Sequence, residues 1–145
     1  MTPSRSPFSY AVLRIVPDIE REEFVNAGLV LFCRSRRYLR ARTSLDATRL
    51  GALQPSVDVD ALLAQLALIE RIADGEVSSG PLAGMSQSER FHWLTTPRST
   101  AVQPGPIHGG MADDPNVTFE HLYATLVDRS RDIDEDKPDG TTRTA

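Results

Sequence analysis

The chain has 145 residues, of which 40% are hydrophobic and 25% are charged, a composition typical of a globular protein with one hydrophobic core. Its longest apolar run has about ten residues and is interrupted by Asn26, which excludes a membrane-spanning helix. The single cysteine, Cys33, excludes an intrachain disulfide, and with no apolar signal segment we expect a cytoplasmic protein. The net charge of −4 is unevenly distributed, since residues 1–45 contain eight arginines and only four acids.

Two apolar runs near the start of the chain predict the first two strands of an antiparallel sheet. Residues 1–7 contain two prolines and small polar residues, and we expect a disordered lead-in there. The first run, Tyr10–Val16, is rich in β-branched residues and ends at Pro17. The second run, Phe24–Cys33, is almost continuously apolar, which is typical of a central strand covered on both faces. Gly28 within it predicts a bulge or a close backbone approach.

A third strand follows the predicted hairpin connection Arg34–Arg37. Its residues alternate in polarity, so we expect one face of the strand to be packed and the other to be solvated. The packed face would carry Leu39, Ala41 and Thr43, and the solvated face would carry Tyr38, Arg40 and Arg42.

The rest of the chain predicts four helices and one short strand. Capping residues precede apolar residues at helical spacing, as in the capping box Ser86–Glu89 and at the helix start Asp114-Pro115. The predicted helices cover residues 46–53, 59–75, 86–96 and 115–127, and the short strand covers Ser99–Gln103.

This order of elements predicts an α+β fold class. We expect a mainly antiparallel, three- to four-stranded sheet with three to four helices packed on one side of it. The single domain would span residues 8–130. Residues 131–145 would form a disordered acidic tail, because Asp132–Asp139 contains five acids and one lysine.

The known catalytic and cofactor-binding signatures are absent from this sequence. It has no phosphate loop, dinucleotide fingerprint or nucleophile elbow. The three histidines, His92, His108 and His121, do not have the ligand spacing of a zinc site. We therefore expect no catalytic residue, no cofactor and no metal, and we favour a protein that is not an enzyme.

The first candidate site is an arginine face on the predicted sheet. Antiparallel pairing would bring Arg40 and Arg42 together, with Arg14 as a third candidate beside them. Such a patch could hold a phosphate or an acidic segment of a partner through bidentate hydrogen bonds. The alternative is a solvated face whose arginines form ion pairs with the acids of the segment before the second strand, Glu20, Glu22 and Glu23.

The second candidate site is the segment that begins at Arg98. An arginine beside the hydroxyls of Ser99 and Thr100 can bind an anion, with Gln103 and His108 as further polar groups, the histidine as a proton-transfer group. The structural alternative is that Arg98 caps the carbonyls of the preceding helix, while the two hydroxyls satisfy a strand edge.

Several segments of the chain resemble one known family. The segments are Tyr10–Arg14 with Pro17, Glu23–Gly28, Phe91–Leu94, Pro97–Thr100 and Gln103-Pro. They are similar to the bacterial "domain of unknown function 3037" family, and the resemblance extends from about Tyr10 to Val127. It implies no established reaction, cofactor or catalytic residue.

The resemblance also implies a partner. Some members of the family are encoded beside HipA-like kinases, so it implies such a kinase as partner in a two-component module, with the arginine face or the acidic tail as contact surface.

Two functional hypotheses follow from the sequence. The preferred one is a non-catalytic protein-binding module that uses one of the two candidate sites. The alternative is a small enzyme or binding protein for an anionic metabolite, with Arg98, Ser99 and Thr100 in its site. Nucleic-acid binding is disfavoured because the chain is acidic overall and lacks interleaved aromatic residues, whereas an exposed edge strand would permit a homo-oligomer.

Overall fold

The computed structural model describes residues 5–76 and 80–128. Residues 1–4 of the predicted lead-in and the whole predicted acidic tail lie outside the described residues. The strands are β1 (Ser6–Ile15), β2 (Val25–Cys33), β3 (Tyr38–Thr43), β4 (Val102–Pro104) and β5 (His108–Ala112), and the helices are α1 (Ala47–Leu53), α2 (Val59–Asp74), α3 (Gln87–Leu94) and α4 (Pro115–Leu126).

The five strands form one antiparallel sheet, which confirms the α+β fold class. The order is β3-β2-β1, and the far side of β1 pairs with β4 at its carboxyl end and with β5 at its amino end. The register sets Arg14 opposite Asn26 of β2 on one side and opposite Gln103 of β4 on the other. The carboxyl end of β1 is therefore flanked by β2 and β4.

Gly28 lies at the bulge that the sequence predicts. The register between β1 and β2 shifts between Leu13 and Arg14, which leaves Ala27 as the extra residue of β2. A Cβ atom at Gly28 would lie 3.0 Å from the carbonyl oxygen of Arg42 on β3. The close approach of the two strands therefore requires a residue without a side chain.

The helices lie on both faces of the sheet, so the expectation that all of them pack on one side was wrong. Helices α1, α2 and α3 cover one face and enclose the larger core, which includes Leu13, Val30 and Leu66. Helix α4 covers the other face, where Phe119 packs against Leu29 and Leu31 of β2. A central strand with apolar residues on both faces leaves the second face exposed unless another element covers it.

Local capping signals place the helix starts where the sequence predicts them. Asp58 accepts a hydrogen bond from the backbone of Ala61 at the start of α2. The capping box of α3 is complete, since Ser86 Oγ accepts from the Glu89 backbone at 3.1 Å and Glu89 Oε1 accepts from the Ser86 backbone at 3.1 Å. None of the helices in the described part of the chain has the length and hydropathy to cross a bilayer.

The strands differ from prediction at three places. β1 begins at Ser6, so that residues 6 and 7, predicted to belong to the lead-in, pair with β5. β4 covers Val102–Pro104 instead of Ser99–Gln103, because the Thr100 hydroxyl donates to the Val102 carbonyl at 2.8 Å and forms a local turn before the strand. β5 lies where the sequence suggests a glycine-rich loop, because pairing with β1 overrides the low strand propensity of its glycines.

Candidate functional site

A cleft of about 340 Å³ lies at the carboxyl end of β1, between the β1–β2 loop and the segment that leads into β4. We call it the Arg14 cleft. It brings together four of the eight residues predicted from the sequence. Its lining residues are Arg14, Val16, Ile19, Glu22, Phe24, Arg98, Ser99 and Gln103.

Arg14 reaches the cleft from β1 and is held on two sides. Its guanidinium carbon lies 4.2 Å from the centre of the Phe24 ring, a cation–π contact. On another side, a Cβ atom at Gly105 would lie 3.0 Å from the same carbon, so the guanidinium packs closely against the glycine backbone. Arg14 Nε is buried and has no hydrogen-bond partner among the described residues. The charge of Arg14 is therefore positioned by packing and is not neutralised by a described acid.

Arg98 caps the carboxyl end of α3 and also lines the cleft. It donates from Nη2 to the Trp93 carbonyl and from Nε to the Thr96 carbonyl, the latter at 3.3 Å, and its guanidinium carbon lies 4.4 Å from the centre of the Trp93 ring. Arg98 therefore caps the carbonyls of the preceding helix, as the structural alternative from the sequence analysis predicts. Partial burial lowers the pKa of Arg98 below its usual value, which still leaves it a cation at neutral pH. Arg98 forms no ion pair with a described acid. It lines the cleft, although its guanidinium group lies over Trp93, which is not one of the residues that line the cleft.

The three polar residues that follow Arg98 divide between two roles. Ser99 is exposed and lines the cleft beside Gln103. The Thr100 hydroxyl is used locally in its hydrogen bond to Val102, and Thr100 does not line the Arg14 cleft. Gln103 Nε2 donates to the Thr100 carbonyl at 2.8 Å, which fixes the glutamine side chain at the rim.

His108 does not line the Arg14 cleft. It lies on β5 opposite Tyr10, with the two ring centres 5.3 Å apart. Tyr10 precedes Arg14 by four residues on β1, a separation of about 13 Å along a strand. Of the residues predicted to converge on one pocket, Arg98, Ser99 and Gln103 line the cleft and His108 does not, so the cleft lacks the predicted proton-transfer group.

Arg40 and Arg42 form a separate cluster beneath α4, which we call the Glu120 cluster. They share the carboxylate of Glu120 at 2.9 Å from Arg40 Nη1 and 2.7 Å from Arg42 Nη2. Both guanidinium groups also lie over the Phe119 ring, with carbon-to-centre distances of 4.5 and 5.5 Å. Hydrogen bonds from Arg42 and then Arg40 lower the pKa of Glu120 to about 2.

This cluster differs from the predicted arginine face in two respects. The acid partner is Glu120 of α4, and the predicted partners Glu20, Glu22 and Glu23 lie elsewhere, Glu23 being paired with Arg21 at 2.6 Å. Arg14 does not join the cluster, because β2 separates β1 from β3 and the side chain lies in the Arg14 cleft. The face that the sequence predicts to be solvated is covered by a helix whose position depends on tertiary packing.

Comparison with known proteins identifies the family of the chain. The family model described as "Protein of unknown function (DUF3037)" matches residues 10–127. The chain belongs to the DUF3037 family. No curated protein and no solved structure matches this DUF3037 chain significantly. All the residues that line the Arg14 cleft fall inside the matched region.

Four cleft residues of this DUF3037 protein were not singled out as site residues from the sequence: Val16, Ile19, Glu22 and Phe24. Ile19 and Phe24 are 49% and 44% exposed, so both large apolar side chains are accessible from the cleft that they line. The sequence feature that could have identified Ile19 as a site residue is its position in an acidic loop, between Asp18 and Glu20. Their proximity to Arg98, which is far away along the chain, depends on the pairing of β1 with β4.

Proposed function

We propose that this DUF3037 protein is a non-catalytic binding protein whose Arg14 cleft accepts an anionic group of a small molecule. The observation that carries the proposal is that Arg14 and Arg98 line one cleft without an ion-pair partner among the described residues. Ser99 and Gln103 add neutral hydrogen-bonding groups beside them. A carboxylate or phosphate there would receive charge-assisted hydrogen bonds.

The geometry favours this metabolite-binding hypothesis over the protein-binding one. The arginines that would dock an acidic partner, Arg40 and Arg42, already share a carboxylate, and this reduces their net charge. The HipA-like kinase that the resemblance implies stays a prediction. Catalysis is not part of the proposal because the carboxylate and the hydroxyl of the cleft lining, Glu22 and Ser99, form no hydrogen bond with each other in the described part of the chain, and His108 lies outside the cleft.

The test is a titration of the purified protein with inorganic phosphate and acetate at low salt, followed by calorimetry or by amide chemical shifts. Arg14→Gln should weaken binding by at least about tenfold, because a hydrogen bond to a charged group contributes about 1.5–3 kcal/mol. Arg49→Gln is the matched control, since Arg49 is an exposed arginine on α1 and does not line the cleft. The proposal would be refuted if neither phosphate nor acetate binds, or if Arg14→Gln and Arg49→Gln bind the anions equally well.

A further inference from the structure

The lining of the Arg14 cleft contains both basic and acidic side chains. Arg14 and Arg98 are the basic residues, and Glu22 of the β1–β2 loop is the acidic one. The other acids of this loop include Asp18, which accepts from the Glu20 backbone at 3.0 Å, and Glu23, which pairs with Arg21. The Glu22 carboxylate forms no ion pair with a described residue, so it can receive a cationic group.

The backbone at Glu22 is also unusual. Its φ of 58° lies in the left-handed region, which is uncommon for residues other than glycine and costs free energy for a glutamate. Its backbone amide donates to the Asp18 carbonyl at 3.2 Å and closes the turn. Strained residues of this kind are found where a side chain is held at a ligand site.

The lining also contains apolar side chains. They are Val16, Ile19 and Phe24, of which Ile19 and Phe24 are about half exposed, and the Phe24 ring contacts the Arg14 guanidinium. Exposed apolar side chains that line a concave site indicate contact with an apolar part of a ligand. The volume of about 340 Å³ lies at the lower end of the range of roughly 300–1,000 Å³ that is typical of small-molecule sites.

We infer that the ligand of the Arg14 cleft is a free α-amino acid with a large apolar side chain. Its carboxylate meets Arg14 and Arg98, its ammonium group meets Glu22, and its side chain lies against Ile19 and Phe24. An amino acid with an aromatic or branched side chain has about nine to twelve non-hydrogen atoms, which suits the size of the cleft. A terminal residue of a peptide has only one of the two charges, so the paired charges of the cleft select the free molecule. This inference rests on the proposed anion site.

The experiment compares four probes that differ by single groups. L-phenylalanine carries all three features, 3-phenylpropionate lacks the ammonium group, phenethylamine lacks the carboxylate, and L-alanine lacks the large side chain. We expect the wild-type protein to bind L-phenylalanine at least about tenfold more tightly than each of the other three. For the two probes that lack a charge, one charge-assisted contact is commonly worth that factor. For L-alanine, the lost contribution is the burial of a large apolar side chain.

Two substitutions test which residues of the cleft contact the ammonium group and the apolar side chain of the ligand. Glu22→Gln should remove the preference for L-phenylalanine over 3-phenylpropionate, while leaving the affinity for 3-phenylpropionate unchanged or higher. Ile19→Ser should remove most of the preference for L-phenylalanine over L-alanine. Leu63→Ser is the control for the latter, because Leu63 on α2 is 47% exposed and lies outside the cleft.

The outcomes separate this inference from the proposed function. If 3-phenylpropionate and L-phenylalanine bind equally and both depend on Arg14, the anion site stands and the amino-acid inference is overturned. If Glu22→Gln leaves the preference for the ammonium group intact, the inference is also overturned. If no probe binds in an Arg14-dependent manner, the proposed function fails together with it.

Discussion

At the scale of single residues, the three arginines of the predicted arginine face have two different environments. Arg40 and Arg42 share the carboxylate of Glu120, which lies 78 residues after Arg42 in the chain and offsets part of their charge. Arg14 instead packs on Phe24 and has no described acid paired with it. The alternation along β3 predicts which arginines share a face, but it does not identify the carboxylate that meets them.

The Glu120 cluster predicts a specific pH dependence of stability. The pKa of Glu120 is lowered from 4.5 to about 2 in the folded protein. The ion pairs therefore stabilise the fold fully above about pH 4.5, and this contribution is lost as the pH falls through about 2. We expect Glu120→Gln to unfold at lower urea concentration than the wild type at pH 7, and the difference to shrink progressively as the pH approaches 2.

The measurement is urea unfolding at a series of pH values, together with an NMR titration of the Glu120 carboxyl. Glu20→Gln serves as the control, since Glu20 is an exposed glutamate of the β1–β2 loop and lies outside the Glu120 cluster. A constant difference between Glu120→Gln and the wild type from pH 7 to pH 2 would contradict the assigned role of the carboxylate.

At the scale of elements, local signals and long-range pairing determine different parts of the fold. The helix starts follow from capping residues within the same segment, and α3 begins at the predicted capping box. The alternation of β3 also matches its observed register. β5 could not be predicted from its own residues, because its glycines have low strand propensity and its pairing partner is β1, at the other end of the chain.

The capping box predicts a measurable loss when it is broken. Ser86→Ala removes the side chain that accepts from the Glu89 backbone, and we expect a loss of about 1 kcal/mol in the free energy of unfolding. Ser88→Ala is the matched control, since Ser88 is exposed on the same helix and takes no part in the capping box. Chemical denaturation of both variants decides the point, and equal stabilities would show that the capping box contributes nothing.

At the scale of the whole molecule, the sheet separates two hydrophobic clusters. The larger one lies beneath α1, α2 and α3, and the smaller one lies beneath α4 and includes Leu29, Leu31 and Tyr123. The sequence of β2 already predicts cover on both faces. The grouping of helices late in the chain, which favoured a single covered face, does not decide the side on which each helix packs.

Phe119 tests whether α4 is an integral part of the fold. Its side chain is fully buried against β2, so Phe119→Ala should lower the free energy of unfolding by about 3–5 kcal/mol through the cavity it leaves. Val117→Ala on the same helix is the control, because Val117 is 64% exposed and should change stability little. Similar midpoints for the two variants in urea would show that α4 does not bury this face.

The candidate site shows the same division between local and long-range information. Arg98, Ser99 and Gln103 could be chosen from the sequence, because an arginine beside hydroxyl and amide groups can bind an anion. Arg14 was chosen for a different reason, as a third member of the predicted arginine face. The sequence could not predict that Arg14 lies in one cleft with Arg98, since this requires the antiparallel pairing of β1 with β4. For the same reason His108, close to Gln103 in the sequence, lies with Tyr10 instead.

The sequence by itself determined the family resemblance, the α+β class, the helix starts and the two faces of β3, because each depends on neighbouring residues or on a period along one element. The tertiary structure alone decided that α4 covers the second face, that Glu120 pairs with both Arg40 and Arg42, and that Arg14 and Arg98 line one cleft. The physical reason is that hydrophobic burial and charge pairing act between segments brought together by folding. The pattern within one segment shows that a face will be covered, but it does not identify the segment that covers it.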